Sequence, residues 1–121
     1  MPKAAYTYSL QQMPRQGDII KLNFDPQSGH EQKGWRPALV ISRNLFNDIT
    51  STIIVCPVTS VDKGFDLHVR PDTRTKTKGV ILCDHVKSID PLTRGVIYVE
   101  TCPSDILDDV VDIVTGIIET D

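Results

Sequence analysis

Between Gly29 and Pro37 the chain reads GHEQKGWRP, nine residues that hold a histidine, a glutamate, a glutamine, a lysine, an arginine and the only tryptophan. His30 and Glu31 can exchange protons, whereas Arg36 cannot and is a fixed positive charge suited to an anion. Arg36 stands immediately before Pro37, which confines its backbone to extended geometry and directs its side chain from the rim of a sheet. A proton-exchanging group beside a permanent guanidinium is what cleaving RNA through its own 2′-hydroxyl requires. One group removes the 2′ proton, another protonates the departing 5′ oxygen, and a cation or hydroxyl stabilises the phosphorane charge. That route obliges no metal. The same composition also describes an ordinary solvated loop, and by spacing alone both readings stay open.

The elements on either side must position this loop. GDIIKLNF reads as a strand ending at the Asp25-Pro26 turn, and RPALVIS as a second. STIIVCPVTS is a third strand whose continuous apolar run, Ile53 to Val58, suggests a central place, with Pro57 marking a bulge or its end. FDLHVRP alternates Phe65, Leu67 and Val69 against Asp66, His68 and Arg70, the period of a half-buried strand with the first set inward. GVILCDHVKSID reads as one or two strands broken near Asp84, and RGVIYVET as another. About six short strands separated by turn residues indicate a mainly β fold, a barrel or a sandwich.

The period then changes. Ile106, Leu107, Val110, Val111, Val114, Ile117 and Ile118 share one helical face, and Asp105, Asp108, Asp109 and Asp112 the other. Ser104 is placed to cap this C-terminal amphipathic helix, and the early acids favour its positive end. The expected role of the apolar face is packing on the sheet.

Length and charge bound the rest. A chain of 121 residues suffices for one compact domain, expected over residues 15–121, while the polar, unpatterned residues 1–14 are expected to be a flexible arm. No run approaches a membrane span, and the start lacks an apolar block of signal-peptide length, so a soluble cytoplasmic protein is expected. From Glu100 onward there are seven acids and no Lys or Arg, leaving nine acids against thirteen bases before it. The body is basic and suits a polyanion; the tail is acidic. Cys56, Cys83 and Cys102 lie in or beside apolar runs and read as reduced, buried thiols, and no paired spacing supports a metal site.

The order GDIIKLNFDPQSGHEQKGWRPALVIS, NLFN, VCPVTSVDKG, GVILCDHVKSID and RG resembles the MazF/PemK/Kid toxins of bacterial type II toxin–antitoxin systems, over roughly 85% of the chain from about Gly17. G-x-E-Q-x-G-x-R-P, P-V-T-S and D-x-V-K-S-I-D are specific in combination. The resemblance implies an SH3-like barrel that forms a homodimer and cleaves single-stranded RNA at short sequences without a cofactor or metal, leaving a 2′,3′-cyclic phosphate. It also implies a cognate MazE-like antitoxin that lays an acidic, largely disordered segment over the RNA groove, which fits the basic body.

Residue by residue, the resemblance makes Arg36 the transition-state stabiliser or acid partner and Thr59 a hydroxyl donor to the scissile phosphate. Glu31 becomes a candidate base, or an ion-pair partner of Lys33 or Arg36 that orders the loop. His30 and Asp84 match the Kid branch, where a histidine and an aspartate take part in acid–base or RNA contacts. That branch carries an arginine two positions before the aspartate, where this chain has Leu82. The departure favours a MazF-like site centred on Arg36 and Thr59, with Asp84 reading a base and His30 an exposed loop histidine. Trp35 is placed to stack on an unpaired base, a contact worth ~1–3 kcal/mol, or to close the loop or meet a second subunit. Ser60, Lys63, Phe65, Lys87 and Arg94 flank the groove by the same analogy, while His68, Arg70 and Arg74 read as solvated edge or loop residues. The rivals are a CcdB-like toxin, which poisons gyrase and cleaves nothing, and an inactive RNA- or antitoxin-binding relative. The first would want a tryptophan near the C-terminus, and this chain ends GIIETD.

Overall fold

The computed structural model describes residues 6–24 and 34–121. Among them are eight strands: β1 (Tyr6–Thr7), β2 (Asp18–Asn23), β3 (Trp35–Val40), β4 (Ile53–Thr59), β5 (His68–Val69), β6 (Val80–Leu82), β7 (Lys87–Ile89) and β8 (Ile97–Thr101). Two helices, α1 (Asn44–Thr50) and α2 (Ser104–Ile117), complete the description. All strand pairs are antiparallel, in the order β1-β8-β2-β3-β4-β6-β5, with β7 also on β4. The expected barrel is therefore a barrel-like sheet whose strand order is an open path among the described residues.

Alternation along the central strands sends side chains to two cores. Ile20, Leu22, Ala38, Val40, Ile53 and Val55 line the first with Phe24, Ile89, Val96 and Tyr98. Ile19, Leu39, Cys56, Val58, Ile81 and Cys83 line the second, which α2 covers with Ile106 and Val110. The apolar stripe of α2 does its packing in its first three turns, and Ile117 and Ile118 are exposed. Pro103, with φ −55° and ψ 140°, takes the N-cap position, so Ser104 begins the helix instead of capping it.

Pro57 neither ends nor bulges β4; it pairs with Ala38 inside the strand. On its other edge β4 changes neighbours there, from β7 along Ile53–Val55 to β6 along Val58–Thr59. The missing proline N–H thus falls in the gap between two ladders, where no partner is asked of it. That gap is the break expected near Asp84.

Within residues 6–14, expected as part of a flexible arm, Tyr8, Met13 and Pro14 are buried. β1 pairs β8, and Tyr8 and Met13 join the first core. The Tyr8 hydroxyl donates to Asp18 Oδ2 at 2.9 Å, and the fully buried Asn47 amide donates to the Pro14 carbonyl at 2.9 Å. The apolar residues here are too sparse for a pattern, yet Tyr8 and Met13 fill gaps in a core built by later strands, while Leu10 stays exposed.

The FDLHVRP segment does not keep its expected alternation: Asp66 and Arg70 are exposed, and Val69 is partly buried against the second core. Phe65 and Leu67 are exposed and His68 is buried, and only His68–Val69 is strand. Pairing with the fully buried β6 covers both faces of this short strand: His68 lies opposite Leu82 and Val69 opposite Ile81, both buried.

Candidate active site

The segment that carries His30 and Glu31 lies outside the described residues. Its ends are fixed, because the Phe24 N–H donates to the Gly34 carbonyl at 3.0 Å. Gly34, at φ +72°, turns the chain into β3 directly ahead of Trp35 and Arg36.

Arg36 lies opposite Leu22 on β2, and Asn23 opposite Trp35. It is two residues before Ala38, as Thr59 is two residues after Ala38's partner Pro57. The ladder so extended places Arg36 and Thr59 at one level of neighbouring strands. Both share the face of Leu22, Ala38 and Val40, at the rim of the first core. Each is half-buried. Arg36 keeps contacts of its own within the chain.

Thr59 Oγ1 accepts the Val61 N–H at 3.2 Å. Its lone pairs thus serve the chain, and its hydrogen is the group it can offer to a phosphate oxygen. Across from it Gly79 runs in so closely, at φ +114°, that a Cβ there would stand 2.2 Å from the Thr59 carbonyl oxygen. Ser60 follows, exposed. Trp35 is 53% exposed, and Arg94 Nη1 donates to the Asn23 carbonyl at 3.4 Å, so both stand at the same end of β2.

The loop after Ser60 is closed by Arg70, which pairs with Asp62 and donates Nη2 to Oδ1 at 2.9 Å, while Gly64 N–H donates to Oδ1 at 2.8 Å. The Arg70 hydrogen bonds hold the Asp62 carboxyl below its ordinary range. Lys63 is exposed on this loop and Phe65 is 54% exposed beside it. Arg70, read as solvated, is thus a loop clasp.

Asp84 sits in the break after β6. Its Oδ1 meets Nε2 of His68 at 3.2 Å. Since β4 pairs β6 and β6 pairs β5, Thr59, Val80, Leu82 and His68 share one face, which Arg36 shares in turn. Lys87, opposite Val55, lies four residues from Thr59 along β4, about 13 Å at the usual rise. It is at the far part of this face. Sequence reasoning missed His68 and Gly79: the first because its burial depends on the partner strand, the second because a glycine before an apolar run is an unremarkable sign.

The cysteines take no part. Burial pushes the Cys56 thiol up to about 12, and Cys83 and Cys102 to about 11. They are protonated and poor nucleophiles. Among the described residues no cluster of His, Cys, Asp or Glu could hold a metal ion, and no helix is long and apolar enough to cross a membrane.

The model of the family described as PemK-like, MazF-like toxin of type II toxin–antitoxin system matches residues 15–118. The chain is 35% identical over 99 residues to Endoribonuclease PemK of Escherichia coli, covering 78% of this chain and 74% of that one. It is 40% identical over 83 residues to Endoribonuclease toxin MazF of Escherichia coli K12, covering 69% and 74%. Among solved structures, MazF from Deinococcus radiodurans (Form-I) matches with a TM-score of 0.81 at 38% identity, over 88% of this chain and 96% of that chain. A MazE-MazF structure (Form-II) from the same organism matches with a TM-score of 0.77 at 38% identity, over 87% and 95%.

Proposed function

The chain belongs to the PemK-like, MazF-like toxins of type II toxin–antitoxin systems, and on that premise we propose that it is a sequence-specific endoribonuclease acting on single-stranded RNA. It works in the cytoplasm as a homodimer and is neutralised by a MazE-like antitoxin, in keeping with its similarity to MazE-MazF structures.

The observation that carries the chemistry is the placement of Arg36 and Thr59 at one level of β3 and β4. The guanidinium and the hydroxyl act on the nonbridging oxygens of one phosphate, where charge grows in the transition state. The RNA 2′-oxygen attacks phosphorus and its proton passes to Glu31, with His30 an auxiliary exchanger. The bond to the 5′ oxygen breaks, and that oxygen takes a proton from the exchanger His30 or from water and leaves as a hydroxyl. The products are a 2′,3′-cyclic phosphate and a 5′-hydroxyl end. Because the nucleophile belongs to the substrate, no metal is required. Trp35, with Arg94 beside it, stacks on a flanking base, Ser60, Lys63, Phe65 and Lys87 guide the strand, and Asp84 reads a base edge.

Incubating the purified protein with a random RNA pool in EDTA, and sequencing the new ends, tests this reading. Cuts at a short motif are expected, and Arg36→Ala should abolish them while the protein still melts cooperatively as a dimer. Unchanged cleavage by that variant would overturn the mechanism.

A further inference from the structure

His68 has a side chain only 4% exposed, yet it is an imidazole in a place where an apolar residue would fill the space. Nε2 faces Asp84 Oδ1 at 3.2 Å. Nδ1 is buried with no hydrogen-bond partner, the one side-chain polar atom in that condition among the described residues. Since the carboxylate only accepts, Nε2 is the donor in that contact, and Nδ1 has no partner to give to or take from. An unsatisfied buried atom opposes folding, so stability alone does not account for a histidine here. What the imidazole adds is the grip on Asp84.

The same ring touches a second group. Phe65 packs against it with centroids 5.2 Å apart and planes tilted by 45°, while remaining 54% exposed. Asp84 Oδ2 stands 3.8 Å from Nε2 of the exposed His85, beyond hydrogen-bond reach. Two surface groups, one acceptor and one aromatic ring, are therefore held by one buried side chain. They lie beside the strand face that carries Arg36 and Thr59.

We infer that His68 is a positioning residue that fixes Asp84 and Phe65 as a joint subsite for one unpaired RNA base. Phe65 supplies the stacking surface and Asp84 Oδ2 accepts from the exocyclic amino group of the base. Adenine, cytosine and guanine carry such a group and uracil does not, so the subsite disfavours uracil at one position of the cleavage motif. This rests on the endoribonuclease reading above.

Two variants separate positioning from packing. In His68→Gln the amide nitrogen reaches the place of Nε2, and in His68→Asn it reaches only that of Nδ1. Each is melted to establish folding, run on the random RNA pool, and measured for kcat and KM on an oligonucleotide carrying the wild-type cut site. We expect His68→Gln to keep the preference against uracil. His68→Asn should raise KM about ten-fold with little change in kcat and lose the preference at that one position. Asp84→Asn should lose it at the same position, and its combination with His68→Asn should be no worse than either alone. Equal behaviour of the Gln and Asn variants, or a loss in kcat with the motif unchanged, would overturn the assignment, as would multiplying effects of His68→Asn and Asp84→Asn. If the wild-type protein cuts nothing, the endoribonuclease reading falls and this one with it. If it cuts and the variants match it, only the His68 assignment falls.

Discussion

Thr59 owes its position to an absent side chain. Gly79 approaches the Thr59 backbone so closely that any Cβ must displace it, 2.2 Å from the carbonyl oxygen and 2.9 Å from its carbon. Backbone cannot yield as a flexible side chain would, and φ +114° strains any other residue as well. Gly79→Ala should therefore shift the end of β4 and lower single-turnover cleavage by about 10²-fold, the usual cost of a misplacement near 1 Å. RNA binding by a non-cleavable oligonucleotide should fall much less. Wild-type rates in that variant would mean that Thr59 does not act on the phosphate. In sequence Arg36 is a candidate from its place before Pro37 and Thr59 from the family resemblance of P-V-T-S; Gly79 carries no such sign.

The segment between β5 and β6 is tied to α2 and β8 by charge. Arg74 is gripped by Asp72 and Asp105, with Nη2 2.7 Å from Asp72 Oδ2 and 2.9 Å from Asp105 Oδ2. Glu100 on β8 accepts the N–H groups of Lys76 and Thr77 and the Thr77 hydroxyl, at 3.0, 2.8 and 2.7 Å. Burial alone would raise the Glu100 carboxyl, and these donors outweigh it and hold it low. Hydrogen bonds from Arg74 lower Asp105 and bring Asp72 to about 2. A carboxyl depressed in the folded state binds fewer protons there than in the unfolded chain, so stability falls as pH falls. The contribution is full above the ordinary carboxylate range near pH 4 and is lost towards about 2. Thermal melts should show this decline between those values, and Arg74→Ala should flatten it; an unchanged slope would show that the exposed pairs contribute nothing measurable. The acids of α2 were thus read correctly as a wet face in sequence, while Asp105's partner, 31 residues earlier, was not.

At the scale of the molecule, charge is divided. Arg36 stands on the sheet face with Thr59, whereas Asp108 and Asp112 line an open cleft of about 410 Å³ between α2 and the strand-flanking residues Gln16 and Arg43. If RNA follows the Arg36–Thr59 face, reversing those acids leaves it untouched. Asp108→Lys with Asp112→Lys should retain cleavage within about two-fold, since surface substitutions away from a site cost little, and a large loss would relocate the RNA path to α2.

Sequence by itself determined the kinds of elements, the family and the chemical candidates, because periodicity, proline and glycine punctuation and the G-x-E-Q-x-G-x-R-P pattern are local properties of the chain. It did not determine that His68 is buried, that Tyr8 and Met13 pack into the core, or that Pro57 can sit inside a strand. Each of those depends on residues distant in sequence: β6 and Asp84 for His68, the first core for Tyr8 and Met13, and the gap between β6 and β7 for Pro57. Burial and register are settled by residues distant in sequence, and so the link from His68 to Asp84 and Phe65 exists only in the folded chain.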